Sequence, residues 1–172
     1  IKLKKLIQNL IKINIFETLE NNKRLLYGKS NLDEYLKELN SITNIDIYHD
    51  VLLSITESDK IIYDNENKFY KVKILFEDKE RLLLFIGDLL KIKDGKAVLS
   101  TGYSKDCGLL KINSLKDFNV NFRFSDEHSG LITIILEDLS NKLLLDFYEE
   151  NKELYLEIET YGDDWSKARI LI

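Results

Sequence analysis

The sequence predicts an α+β domain in which N-terminal helices are followed by a mainly antiparallel β-meander sheet. Apolar residues recur at helical spacing before residue 45 and alternate with polar residues after it. Turn-forming segments separate the later apolar runs, and no linker-like or low-complexity tract interrupts the 172 residues. We therefore expect a single domain over residues 1–172, mainly helical over 1–44 and mainly antiparallel β over 45–172.

Two helices are predicted in the first 44 residues. The first, over residues 2–12, has its apolar residues on one side: Leu3, Leu6, Ile7, Leu10 and Ile11. The second, over residues 31–40, follows Ser30, which forms a capping-box pattern with Asp33. Residues 13–28 between them fit either a hairpin or a continued helix with a turn.

Alternating apolar residues predict the first strands. One strand side carries Ile45, Ile47, Val51, Leu53 and Ile55, and His49 falls in the same row. Residues 60–63 and 69–76 flank a turn-rich segment, which indicates a hairpin. Residues 82–92 and 97–99 flank Asp94-Gly95, and an Asp-Gly pair between two apolar runs predicts a tight hairpin turn.

The last third of the chain carries further strands. They are predicted over 118–124, 131–137, 142–148 and 153–159, and a final run over 168–172 would close the sheet. With a four-residue loop at 149–152, Phe147 faces Leu154, Leu145 faces Leu156 and Leu143 faces Ile158. One face of this hairpin is then apolar. The opposite face carries Asp146, Tyr148, Tyr155, Glu157 and Glu159.

Composition limits the class of protein. The richness in Ile, Lys and Asn is typical of an AT-rich bacterial or phage genome. The single Cys107 cannot form a disulfide within the chain, and no segment has the apolar length of a membrane span or a signal peptide. We therefore expect a cytoplasmic protein without membrane contact. Of its net charge of −5, the acidic part lies in residues 126–172, which hold twelve Asp and Glu against four Lys and Arg.

Motifs for catalysis and cofactor binding are weak. No Walker or G-x-G-x-x-G pattern occurs, so no nucleotide cofactor is expected. Cys107 near Lys105 is more typical of a small buried residue than of a nucleophile, and His49 of a half-buried core histidine. The run Asp126-Glu127-His128 offers metal-like ligands, but consecutive residues rarely converge on one ion. We expect no cofactor, no metal and no catalytic residue.

By elimination the sequence favours a binding protein. A small acidic α+β chain of this composition fits the general profile of bacterial immunity proteins, which neutralise a toxin that is often basic. The expected contact surface comprises Asp146, Tyr148, Tyr155, Glu157, Glu159, Asp163 and Asp164, with a basic protein as partner and no direct contact with nucleic acid. Two alternatives stay open: a hydrolase using Asp126, His128 or the Asp163 and Asp164 pair, and a phage or host regulator that mimics nucleic acid.

Overall fold

The computed structural model describes residues 2–64 and 68–170, with side chains described from residue 17 onward except at His49. The predicted fold class is confirmed: helix comes first, and a six-stranded sheet follows in the order β1-β6-β5-β4-β2-β3, in which all neighbouring strands are antiparallel. The helices are α1 (Lys2–Ile42), α2 (Ile55–Ser58), α3 (Lys79–Ile92) and α4 (Ser104–Cys107). The strands are β1 (Phe69–Leu75), β2 (Ala97–Ser100), β3 (Leu110–Ile112), β4 (Leu131–Leu136), β5 (Asn141–Glu150) and β6 (Glu153–Gly162). Short 3₁₀ turns occupy His49–Val51, Leu115–Asp117 and Trp165–Lys167.

Helix α1 is one continuous helix, so the predicted start at residue 31 is wrong. Ser30 lies inside the helix, where its hydroxyl donates to the carbonyl of Tyr27 at 2.9 Å instead of capping a new helix. Both predicted helical segments, 2–12 and 31–40, lie within α1. Its C-terminal part packs on the body through Tyr35, Leu39 and Ile42, which are fully buried.

The predicted strand over 45–55 does not form. The segment is irregular, and its second half turns into α2 because Ser54 and Glu57 form a capping box: Ser54 Oγ accepts from Glu57 N, and the Glu57 carboxylate accepts from Ser54 N. The backbone of His49 lies in a 3₁₀ turn, and its side chain lies outside the described side chains.

The predicted hairpin at Asp94-Gly95 is also wrong, because residues 82–92 belong to helix α3. Its buried residues, Leu82, Phe85, Ile86 and Leu89, have helical spacing. Asp94 connects the loop after α3 to the 3₁₀ turn Leu115–Asp117 instead of forming a hairpin turn. Its carboxylate oxygens lie 2.7 and 2.9 Å from Ser114 Oγ, which donates to them.

Three other predicted strands are replaced by irregular chain. Residues 60–63 form no strand, and part of the intervening turn, 65–67, lies outside the described residues. Residues 118–124 bury Phe118, Val120 and Phe122 without strand pairing beyond one bridge between Thr43 and Phe118. The described part of the final run, 168–170, is not a strand and does not close the sheet.

The β5–β6 hairpin has the predicted faces in a different register. Its turn is the two residues Asn151-Lys152, both with positive φ, so that Phe147 faces Leu156 and Leu145 faces Ile158. This register is shifted by two residues from the predicted one. Because side chains alternate with a period of two, every side chain keeps its predicted face.

The core lies between one face of the sheet and the helices and loops that cover it. Trp165, fully buried after β6, donates from Nε1 to the carbonyl of Lys93 at 2.9 Å, and its backbone N donates to Asn141 Oδ1 at 2.9 Å. These contacts hold the end of α3 against the β5–β6 end of the sheet.

A lysine lies at the edge of the aromatic part of the core. Lys79 Nζ is 3.4 Å from the ring centre of Phe76 and 4.1 Å from that of Phe122, and it has no hydrogen-bond partner among the described residues. Burial lowers its pKa from 10.5 to about 8, against the smaller opposing effect of Glu77 and Asp126. At pH 7 the folded chain therefore holds a poorly hydrated ammonium group.

Replacing Lys79 with Met should raise the free energy of unfolding at pH 7 by roughly 1–2 kcal/mol, because a neutral chain of similar length needs no hydration. The unfolded chain binds the lysine proton more tightly than the folded chain, because burial lowers the pKa of Lys79. Lys79 therefore lowers the free energy of unfolding by its full amount below pH 8, and this destabilisation disappears as the pH rises to 10.5. Urea unfolding between pH 7 and 10.5 measures this gain. Lys91→Met in the same helix, at an exposed side chain, is the control and should show no such trend. A gain that does not shrink with pH would contradict the assignment.

Candidate functional site

The outer face of the sheet, the face turned away from the core, carries five of the residues predicted to bind a partner. Tyr148 pairs with Tyr155, and Asp146 pairs with Glu157, across strands β5 and β6; Glu159 lies one pair further along. On the other side of β6, Leu75 of β1 pairs with Tyr155. Leu75, Tyr155 and Tyr148 thus lie side by side on three strands, and we call them the tyrosine row.

Two lysines of β1 neutralise part of this face. Lys71 Nζ lies 2.5 Å from Glu157 Oε1 and 2.9 Å from Glu159 Oε1. Lys73 Nζ lies 2.5 Å from Glu150 Oε2 and 3.8 Å from the ring centre of Tyr155. The sequence did not indicate these contacts, since β1 and β6 are far apart in the chain.

The carboxylates of the outer face differ in their protonation energetics. Burial raises the pKa of Glu159, but hydrogen bonds from Tyr161 and Lys71 outweigh it, and the pKa lies below its usual value. Asp146 behaves in the opposite way, because burial, reinforced by Glu157 and Glu159, raises its pKa. The face is a mixed ionic surface, and not a uniformly negative one.

Asp163 and Asp164 lie apart from the tyrosine row. They follow the far end of β6, about 25 Å from Tyr155 at the rise of an extended strand. Asp163 Oδ1 is 2.5 Å from Lys68 Nζ. Asp164 Oδ2 lies 4.0 Å from Lys93 Nζ, and Asp164 Oδ1 lies 3.9 Å from Lys167 Nζ. The backbone N of Asp164 donates to Asn141 Oδ1. Both carboxylates are therefore engaged within the fold.

A second constellation lines a cleft of about 280 Å³. Helix α1 supplies Glu38, the segment after β2 supplies Tyr103, and the loop before β4 supplies Arg123, Asp126 and His128. Glu127 lies beside them, and its side chain is fully buried. Glu38, Glu127 and His128 offer ligand atoms that all lie within 4.8 Å of one another. We call these three residues the Glu-Glu-His cluster.

The imidazole of His128 is held on three sides. Its Nδ1 lies 2.9 Å from Glu38 Oε2 and 3.7 Å from Glu127 Oε1. Its ring stacks on Tyr103 with centres 3.9 Å apart. Behind it, a Cβ added to Gly102 would approach the ring to 2.7 Å, so only glycine leaves room for this position. The side chain of His128 is nevertheless 47% exposed, which leaves it open to the cleft.

The two carboxylates beneath the imidazole are fixed by hydrogen bonds. Glu38 accepts from Thr101 Oγ1 at 2.5 Å and from the backbone N of His128 at 3.2 Å. Glu127 accepts from the backbone N of Gly102, from Ser129 Oγ and from the backbone N of Leu131, at 3.1, 2.6 and 3.0 Å. Among the described residues, neither has a Lys or Arg nitrogen within 4 Å. Two buried carboxyl groups therefore lie close together, with the imidazole of His128 beside them.

Of the run Asp126-Glu127-His128, the structure brings two residues together and separates the third. Asp126 accepts from the backbone N and Nε of Arg123 at 2.8 and 3.0 Å, whereas Glu127 and His128 converge with Glu38. Glu38 was missed. The sequence does indicate its unusual position. Glu38 lies three residues after Tyr35 and four before Ile42, so helical spacing places its carboxylate on the buried side of α1.

Cys107 has the properties of a structural residue. Its Sγ donates to the carbonyl of Gly28 at 3.6 Å, at the point where α1 and α4 approach closely. Burial, together with Asp106 and Glu38, raises the pKa of the thiol to about 11. A thiol with this pKa is protonated at neutral pH and is a poor nucleophile.

No protein-family model, no curated protein and no solved structure matches this chain. Within the part of the chain that the structure describes, no helix has the length and apolar character needed to cross a membrane.

Replacing Gly102 with Ala should displace the imidazole of His128 from Tyr103, because the added methyl group would overlap it. We expect a loss of about 1–3 kcal/mol in unfolding free energy and a shift of the His128 ring resonances in NMR spectra as the Tyr103 ring current is lost. Gly95→Ala is the control, since a Cβ there meets nothing within 4 Å. Unchanged His128 resonances in the Gly102 variant would show that the ring is not held this way.

Proposed function

We propose that this protein is a non-catalytic binding module that engages a basic protein partner through the outer face of its sheet. The observation that carries the proposal is the tyrosine row. Leu75 is 51% exposed, and Leu131, which pairs with Asp146 on the neighbouring strand, is 41% exposed. An apolar and aromatic centre on a sheet face that remains open is the composition expected of an interface core.

The rim of the tyrosine row is acidic even after its internal salt bridges are counted. Five carboxylates of β5 and β6 lie on this face of the sheet, against three lysines. The carboxylates are Asp146, Glu150, Glu153, Glu157 and Glu159, and the lysines are Lys71, Lys73 and Lys142. This excess favours a cationic partner, speeds its encounter and weakens as salt screens it. A basic toxin is a partner of this chemistry, and the protein would then act as its immunity protein.

Asp163 and Asp164 contribute to the proposal only through the long-range field, because they lie about 25 Å from the tyrosine row and are engaged by Lys68, Lys93 and Lys167. Lys71 and Lys73 interrupt the carboxylates of the outer face. This interruption favours a protein partner over the role of a nucleic-acid mimic, which needs a regular array of negative charges.

A second candidate is the hydrolase alternative, now centred on the cleft. The contact between Glu38 and His128 Nδ1 is the arrangement that orients a histidine as a general base. Asp126 has no part in it, because Arg123 binds its carboxylate. His128→Asn separates the two candidates, since it removes the base from the cleft and leaves the outer face untouched.

The first test is site-directed photocrosslinking in the cells that express the protein. A benzophenone amino acid at Tyr155 should capture one basic protein, because this position lies at the centre of the proposed interface. The same amino acid at Leu83, an exposed position on α3, is the control and should not capture it. Capture of the same protein from both positions, or an acidic adduct from Tyr155, would reject the outer face.

The purified partner then allows a quantitative test. The combination of Tyr155→Ala, Glu157→Gln and Glu159→Gln should keep the fold, slow association and cost on the order of a few kcal/mol of binding free energy. Stopped-flow kinetics at low and high salt measure both effects, with Glu137→Gln as control, because Glu137 is an exposed carboxylate that follows β4 and is not part of the acidic rim. A triple variant that binds as well as the parent at both salt concentrations contradicts the proposal.

A further inference from the structure

We infer that the Glu-Glu-His cluster binds one divalent transition-metal ion of the zinc class, with an open coordination position facing the cleft. The inference is independent of the proposed function and concerns a different part of the molecule. It rests on ligand spacing, on the electrostatics of two buried carboxylates and on the hydrogen bonds that orient them.

The spacing of the ligand atoms fits a small ion. In tetrahedral zinc sites the metal–ligand distances of about 2.0–2.1 Å place neighbouring ligand atoms about 3.3–3.4 Å apart. His128 Nδ1 lies 2.9 Å from Glu38 Oε2 and 3.7 Å from Glu127 Oε1, on either side of this value. Two of the three ligand–ligand separations therefore lie within about half an ångström of the tetrahedral value, and the third is below 4.8 Å.

The electrostatics favour a cation at this point. The side chains of Glu38 and Glu127 are 5% and 0% exposed, and no Lys or Arg among the described residues lies within 4 Å of either carboxylate. Burying two carboxylates side by side is costly unless a positive charge compensates them. A divalent ion bound between the two carboxylates supplies that charge.

The surroundings of the carboxylates resemble the outer shell of a metal site. Thr101 orients Glu38, whereas Gly102, Ser129 and Leu131 orient Glu127. Such donors hold ligands in place before the ion arrives. The imidazole of His128 is held by a ring contact with Tyr103 instead of by such donors.

The donor set selects the class of metal. One nitrogen and two carboxylate oxygens suit zinc and neighbouring transition metals, whereas Ca²⁺ needs six to eight oxygen ligands. Three protein ligands leave a fourth position for water, and the exposed side of His128 opens it to the cleft. The expected site therefore has the coordination number of catalytic zinc sites.

The test is a titration of the chelator-treated full chain with Co²⁺ and Zn²⁺. Co²⁺ should give the visible absorption bands of a four-coordinate or five-coordinate site, Zn²⁺ should abolish them, and calorimetry should find one Zn²⁺ per chain. His128→Asn keeps a hydrogen-bond donor toward Glu38 but removes the imidazole ligand, and it should weaken Zn²⁺ binding at least tenfold. Glu38→Gln should have a similar effect.

Two control variants make the result specific. Asp126→Asn changes the neighbouring carboxylate that binds Arg123, and His49→Gln changes the other of the two histidines in the sequence. Both should bind Zn²⁺ as the parent does. Circular dichroism and the melting temperature without metal establish that each variant is folded. Absence of Co²⁺ bands at millimolar metal, or equal Zn²⁺ affinity in the folded His128→Asn variant, overturns the inference.

Discussion

The tight turn Asn151-Lys152 sets the register on which most of the sheet depends. Both residues adopt positive φ, and the two strands leave the turn directly paired over ten residues each. β6 then receives β1 along one edge, and β5 receives β4 along the other. The same pairing buries Leu145, Phe147 and Ile158 on one side and aligns the two tyrosines on the other. Core and candidate interface are therefore consequences of one hairpin.

The two candidate surfaces use different parts of the fold. The tyrosine row lies on regular strands, where the register fixes each side chain. The Glu-Glu-His cluster lies between α1 and two loops, and hydrogen bonds from backbone and hydroxyl groups hold its carboxylates. Because no residue belongs to both, a variant can impair one surface while leaving the other intact.

Local patterns in the sequence were sufficient for the fold class and for the faces of the β5–β6 hairpin. The two-residue error in its register did no harm, because the alternation of side chains is insensitive to an even shift. Helix α3 was missed although Leu82, Phe85, Ile86 and Leu89 have helical spacing, since the Asp-Gly pair was given more weight. The strand expected at 45–55 failed because Ser54 and Glu57 cap a helical turn there.

The parts that could not be predicted depend on contacts between distant segments. Lys71 meets Glu157 only because β1 joins the sheet beside β6. Likewise, Glu38 meets His128 across 90 residues of sequence. Their residue types indicate charge, but the partner of each charge is determined by the tertiary structure.

The position of Trp165 has a practical consequence for the study of this chain. It is the sole tryptophan in the sequence, and it is fully buried where the end of α3 meets the sheet. Its indole therefore emits from an apolar environment in the folded chain and from water once the α3–sheet junction opens. Intrinsic fluorescence excited at the red edge of protein absorption would report on that junction alone, without any label and without interference from the nine tyrosines.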